Sequence, residues 1–148
     1  MLVRPIQACV ASFFITLTVC DNIVTVAVVS GESMCPTLNP VERRFSDLVL
    51  VRKLGINSLK TGDLITLTSP RDPKETLVKR ITGVEGEYIR TRSYKTRYLT
   101  VPRGHVWVEG DNANRSVDSN VYGPVSQGLI TGKLLCVLWP SFRLLNNS

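Results

Sequence analysis

Histidine is nearly missing from this sequence: His105 is the single one among 148 residues. That scarcity weakens the commonest route to an activated serine or cysteine, because the general base is most often an imidazole. His105 stands in Arg103-Gly104-His105-Val106-Trp107, where a turn meets a strand, and no obvious acidic orienter accompanies it. Cysteines are few as well. None of Cys9, Cys20, Cys35 and Cys136 forms a C-x-x-C pair, and the first two lie in an apolar N-terminal segment. With one histidine there is no zinc set, and no cofactor is expected. Free, mostly buried thiols are the default, with a Cys35–Cys136 disulfide left open.

Helical periodicity of useful length is absent after residue 30, and there is no internal repeat. Charge is not concentrated either. The net charge of +6 is spread along the chain, with Arg90, Arg92, Lys95 and Arg97 as the densest cluster, interleaved by Tyr88, Tyr94 and Tyr98. That cluster reads as a solvated hairpin rather than a nucleic-acid face, and attraction to anionic headgroups is a third option.

What is present is strand signal. Apolar runs at Asp47–Val51, Asp63–Thr68, Thr76–Thr82, His105–Glu109 and Leu134–Trp139 are punctuated by Gly, Pro and Ser, with a shorter basic pair at Tyr88–Thr91 and Arg97–Val101. A mainly antiparallel β domain is expected. The stretch from Gly110 to Gly128 lacks strand periodicity, and an ordered, functional loop is expected there. At the N-terminus, Pro5 to Cys20 is a run of 16 uncharged residues, marginal for a membrane span. A cleaved secretory signal, a buried helix and an uncleaved anchor compete. The strand-like Ile23–Val29 runs into Ser33 without a polar spacer, which favours the anchor. The division expected is an anchor over residues 1–21 and a β-rich catalytic domain over 22–148.

The run Gly31-Glu32-Ser33-Met34-Cys35-Pro36-Thr37 follows that strand directly. Ser33 would sit on a tight turn where its hydroxyl can face a substrate; an ordinary polar loop is the competing reading. Lys79 is the candidate base. In Leu77-Val78-Lys79-Arg80-Ile81, alternation puts Lys79 on one face with Leu77 and Ile81. A snorkelling edge-strand lysine fits that pattern. So does a buried amine, whose pKa falls until it can take a proton from a serine.

These segments together resemble the type I signal peptidases, a family of Ser-Lys serine proteases. Gly31–Thr37 resembles the nucleophile box, Gly62-Asp63 the second box, and Lys79-Arg80-Ile81 with Gly83 and Gly86 the lysine box. Gly110-Asp111-Asn112 with Ser116, Asp118-Ser119 and Tyr122-Gly123 resembles the last. Four boxes in order, behind an apolar segment, are specific, and the resemblance runs from about residue 5 to 143. Thr37-Leu38-Asn39-Pro40, Asp118-Ser119-Asn120 and Leu138-Trp139-Pro140 are similar to the mitochondrial inner-membrane branch.

The resemblance implies a signal-peptidase-like antiparallel β domain preceded by one transmembrane or membrane-associated helix. It implies Ser33 as nucleophile, Lys79 as general base, Ser116 as orienter of the lysine, and Asp118 with Arg80 as a supporting ion pair. Met34 would shape the substrate pocket, and the Ser33 backbone N–H would serve the oxyanion. The implied activity is a membrane-bound serine endopeptidase that removes sorting peptides from precursor proteins reaching the mitochondrial intermembrane space. The implied partners are those precursors, a homologous first subunit and membrane lipid, with no nucleic acid. A non-catalytic scaffold subunit, a bacterial-type signal peptidase and a self-cleaving repressor-type protease are the alternatives. Two positions depart from the family pattern. Gly31 stands where many relatives carry an oxyanion-assisting serine, and Asn120 stands where many carry arginine.

Overall fold

A computed structural model describes residues 23–40, 45–55 and 58–145. The expected anchor over residues 1–21 lies outside the described residues. Among the described residues no helix is long and apolar enough to cross a membrane.

Ten strands organise the described chain: β1 (Val24–Val28), β2 (Leu48–Arg52), β3 (Leu64–Thr68), β4 (Thr76–Gly83), β5 (Tyr88–Arg90), β6 (Tyr98–Thr100), β7 (His105–Glu109), β8 (Val125–Ser126), β9 (Ile130–Trp139) and β10 (Arg143–Leu144). The α-helix among the described residues is one turn, Ser119–Tyr122. The main sheet runs β1-β2-β9-β3-β4-β7-β8, with β10 added to β9, and β5 and β6 form the separate basic hairpin. The pairings are antiparallel.

Alternating side chains divide the interior in two. Leu64 joins a core with Val29, Met34, Leu38, Val49 and Val51. Its neighbour Ile65 points the other way, into a core with Leu67, Ile81, Val106, Val108 and Val125. Burial on both faces explains why β3 reads Leu-Ile-Thr-Leu without polar alternation. Each fully buried aliphatic side chain contributes about 1.5–3 kcal/mol, so both clusters matter to a domain of this size.

Strand β9 joins the halves. Its first residues pair with β3 and its later ones with β2, with register shifts on both sides. Gly132 makes this crossing possible. A Cβ there would lie 2.4 Å from a Val51 methyl and 2.9 Å from Thr66 Oγ1.

Strand β4 positions the site. Strand β7 pairs with it from Arg80 onward, while β3 pairs along Thr76–Arg80. The first half of β4 therefore lacks a strand on its β7 side among the described residues. A cleft of about 750 Å³ opens there, between that half of β4 and the segment leading from β1 through Ser33. Cys35 and Cys136 are buried free thiols, so the disulfide left open by the sequence is not formed.

Candidate active site

Ser33 comes from the turn that follows β1. Gly31 adopts φ +86°, a backbone region that suits glycine and lets the chain turn sharply after the strand. Met34 packs beneath the turn, 2% exposed in the first core. Lys79 comes from β4, where alternation buries both Lys79 and Ile81. Its residue exposure is 2%, which removes the snorkelling alternative. Ser33, Met34 and Lys79 all line the same cleft.

The Lys79 amine is held from the loop between β7 and β8. Its Nζ donates to Ser116 Oγ at 3.1 Å, and Ser116 Oγ donates to Asp118 Oδ2 at 2.7 Å. Asp118 is fixed in turn. Gly110 N–H donates to Oδ2, while Oδ1 caps the one-turn helix by accepting from Asn120 N–H. The result is a directed chain from amine to hydroxyl to carboxylate. Ser33 and Lys79 make no direct hydrogen bond with each other; Ser116 is the lysine's partner. Serine–base contacts commonly tighten only when substrate is bound.

Burial pushes the Lys79 amine below the usual lysine range, against the opposing charges of Asp118 and Glu75. Tyr122, a phenol lining the same cleft, is unsuited to take a proton. Burial first, then the Asp118 charge, pushes the Tyr122 phenol well above its ordinary value, so it stays protonated. His105 is occupied at its own turn, with Nδ1 2.9 Å from the Arg103 carbonyl.

Two loops meet behind Ser33. Asn112 N–H donates to the Ser33 carbonyl at 3.0 Å, and the Asn112 carboxamide donates to the Glu32 carbonyl. Arg115 pairs with Glu32 across the same seam. Gly110 lies at the contact. A Cβ on it would fall 2.3 Å from Ser116 Oγ and 2.5 Å from the Ser33 carbonyl oxygen. Only a hydrogen at this position lets Ser33 and Ser116 approach the same place.

The sequence profile described as signal peptidase, peptidase S26, matches residues 2–96 and 90–139. This chain belongs to the signal peptidase S26 family. Among curated relatives, mitochondrial inner membrane protease subunit 2 of Danio rerio is 41% identical over 146 residues, covering 95% of this chain and 80% of that protein. The Saccharomyces cerevisiae protein of the same name is 41% identical over 134 residues, covering 87% and 76%. Mitochondrial inner membrane protease subunit 1 of Homo sapiens is 40% identical over 120 residues, covering 78% and 69%. Among solved structures, a signal peptidase I of Enterococcus faecalis aligns with 26% identity and a TM-score of 0.47, covering 54% of this chain and 99% of that one. As a member of a signal peptidase family, the chain is a protease.

Among the S26 boxes, one expected contact is corrected. Arg80 does not pair with Asp118. Its Nε and Nη2 bind the two Asp111 oxygens at 2.8 and 2.7 Å, and Nη1 donates to the Gly62 carbonyl. Asp111 projects toward β4, whereas Asp118 is turned inward by its capping bonds. Burial would raise the Asp111 carboxyl, but the hydrogen bonds from Arg80 and Thr37 and the Arg80 charge outweigh it and hold the group below its usual range. In the sequence, Asp111 stands in the last box with no partner assigned to it.

Asn120 has partners that sequence reasoning missed. Its Nδ2 donates to Glu109 Oε1 at 2.7 Å and to Asp118 Oδ1 at 3.1 Å. Arg92, from the loop between β5 and β6, pairs with Glu109 Oε2 at 2.6 Å. A neutral amide therefore lies beside Asp118, and the guanidinium in this cluster comes from the hairpin to Glu109. The signal in the sequence is a carboxylate, Glu109, closing the apolar run Val106-Trp107-Val108.

Proposed function

We propose that this chain is a membrane-bound serine endopeptidase that removes N-terminal sorting peptides from proteins delivered to the mitochondrial intermembrane space. It works through Ser33 and Lys79 and an acyl-enzyme, without a cofactor. The observation that carries the reading is the buried Lys79, whose amine is held by Ser116 in the cleft that Ser33 lines. The names of the relatives support the inner membrane as the location and a homologous subunit as partner.

In this mechanism the neutral Lys79 amine takes the Ser33 hydroxyl proton as Oγ attacks the scissile carbonyl carbon. The Ser33 backbone N–H donates to the oxyanion. Collapse breaks the C–N bond, and Lys79 returns the proton to the leaving amine. Water, deprotonated by the same amine, then releases the acyl group and regenerates Ser33. Ser116 and Asp118 hold the amine at the nucleophile through both halves. Gly31 has no hydroxyl to offer the oxyanion, so the backbone carries that task.

Substrate enters as an extended strand beside the open first half of β4, where main-chain hydrogen bonds fix its register. Small side chains fill the shallow floor near Met34. The test is processing of a precursor in membranes carrying Ser33→Ala or Lys79→Ala. Loss of processing in both is expected. Normal processing by both would sink the dyad, and normal processing with a homologous subunit supplying the activity would point to a scaffold.

A further inference from the structure

We propose that Asn39 is the positioning residue of the nucleophile turn, an inference that rests on Ser33 being the nucleophile. Asn39 lies six residues beyond Ser33 and makes no hydrogen bond to Lys79, Ser116 or Asp118. Its carboxamide holds the turn from behind. Nδ2 donates to the Val29 carbonyl at 2.7 Å and to the Gly31 carbonyl at 3.2 Å. Those two oxygens lie just beyond the end of β1, where the chain bends toward Ser33. One donor group therefore fixes the exit of the turn.

Asn39 is itself fixed at its other polar atoms. Its Oδ1 accepts from Asp47 N–H at 2.7 Å, and its own N–H donates to Asp47 Oδ2 at 3.1 Å. Asp47 is fully buried at the start of β2. The same Oδ2 takes Arg143 Nη2 at 2.8 Å, and that nitrogen also donates to the Thr37 carbonyl at 2.5 Å. The segment from Val29 to Asn39 is thereby tied to β2 and β10. Opposite it, Asn112 holds the Ser33 carbonyl. The nucleophile is suspended between two sets of backbone anchors.

The backbone supports an active role for the side chain. Asn39 has φ +49°, the one non-glycine left-handed residue among the described residues. Glycine would adopt this conformation with less strain. An asparagine there gives up some backbone ease and provides the carboxamide. A nucleophile displaced by about 1 Å can lose on the order of 10²-fold in rate, so an anchor of this kind acts on turnover rather than on substrate affinity.

The test uses the full chain in membranes, with a precursor that wild-type membranes process. Asn39→Gly keeps the left-handed backbone and removes the carboxamide. Asn39→Asp keeps the Oδ1 acceptor and removes both donors. Folding is checked by thermal melting, and rates are expressed per folded molecule. Both variants are expected to lose on the order of 10²-fold in kcat, with KM within about twofold and the acid limb of the pH–rate profile unmoved, because the partners of Lys79 are untouched. Wild-type kcat in a folded variant would overturn the proposal. So would a loss confined to KM, a displaced acid limb, or failure of both variants to fold, which would make Asn39 a residue of the fold alone. Ser33→Ala is run in parallel. If Ser33→Ala is inactive and Asn39→Gly is normal, only the role of Asn39 falls; if Ser33→Ala is active, the nucleophile assignment falls with it.

Discussion

Lys79 carries a conflict between stability and chemistry. Its folded pKa is lowered from 10.5 by burial. Between the folded and unfolded values the unfolded chain holds the extra proton, so stability rises with pH across that window and is lowest below the folded pKa. Lys79→Met fills the same space without a charge. It is expected to abolish activity while raising stability by about 1–2 kcal/mol, the usual scale for relieving a functional compromise, with the gain shrinking toward alkaline pH. Denaturant midpoints at neutral and alkaline pH check this; a destabilised Lys79→Met would show that the amine is a structural anchor. Glu75 offers a gentler probe. Its charge raises the Lys79 pKa, so Glu75→Gln is expected to move the acid limb of the pH–rate profile to lower pH, with kcat on the plateau unchanged. A limb that stays in place or moves upward would remove Lys79 from the titration.

Strands were easier to read from the sequence than contacts. The runs around β1, β2, β3, β4 and β7 declared themselves through apolar or alternating patterns, and the basic pair formed the expected hairpin. Alternation in β4 puts Lys79 on the face of Ile81, but the pattern alone does not separate a snorkelling lysine from a buried one; the structure shows it buried. Strand β9 was read only from Leu134, because Thr131, Gly132 and Lys133 look like a turn; its true start at Ile130 depends on pairing with β3, a long-range contact that local pattern does not encode. The partners of Arg80 and Asn120 were hidden for the same reason. Side-chain pairing depends on which carboxylate the loop turns outward, and the capping bonds that turn Asp118 inward are invisible in one dimension. Loop contacts also make the sharpest structural prediction. Gly110→Ala is expected to lower activity at least tenfold, because the added carbon must displace Ser116 or the Ser33 carbonyl by enough to break near-attack geometry. Wild-type kcat in a folded Gly110→Ala protein would show that the two loops need not meet so closely.

Across the whole molecule, Ser33, Lys79 and Ser116 come from three segments: the turn after β1, strand β4 and the loop between β7 and β8. Met34 belongs to the first core, while Tyr122 of the one-turn helix packs against the second. Arg80 and Asp111 bind these parts together, with Gly62 and Thr37 as further partners of the guanidinium. The Asp111 pKa is lowered, so its contribution is present above the unfolded value of 3.8 and is lost as pH falls through the folded value. Asp111→Asn is expected to destabilise the neutral protein by about 2 kcal/mol, typical of hydrogen bonds to a charged group, and the difference is expected to close in acid. An equal difference at neutral and acid pH would assign the effect to packing instead.

The claim on which the account depends is that Ser33 is acylated with Lys79 as its base. A single turnover with a precursor peptide, quenched in acid and mapped by mass spectrometry, tests it directly. A peptidyl ester on Ser33 is expected, absent from Ser33→Ala and from Lys79→Ala. Cleavage by the Lys79→Ala protein at the wild-type rate, or an adduct on any other residue, would contradict it.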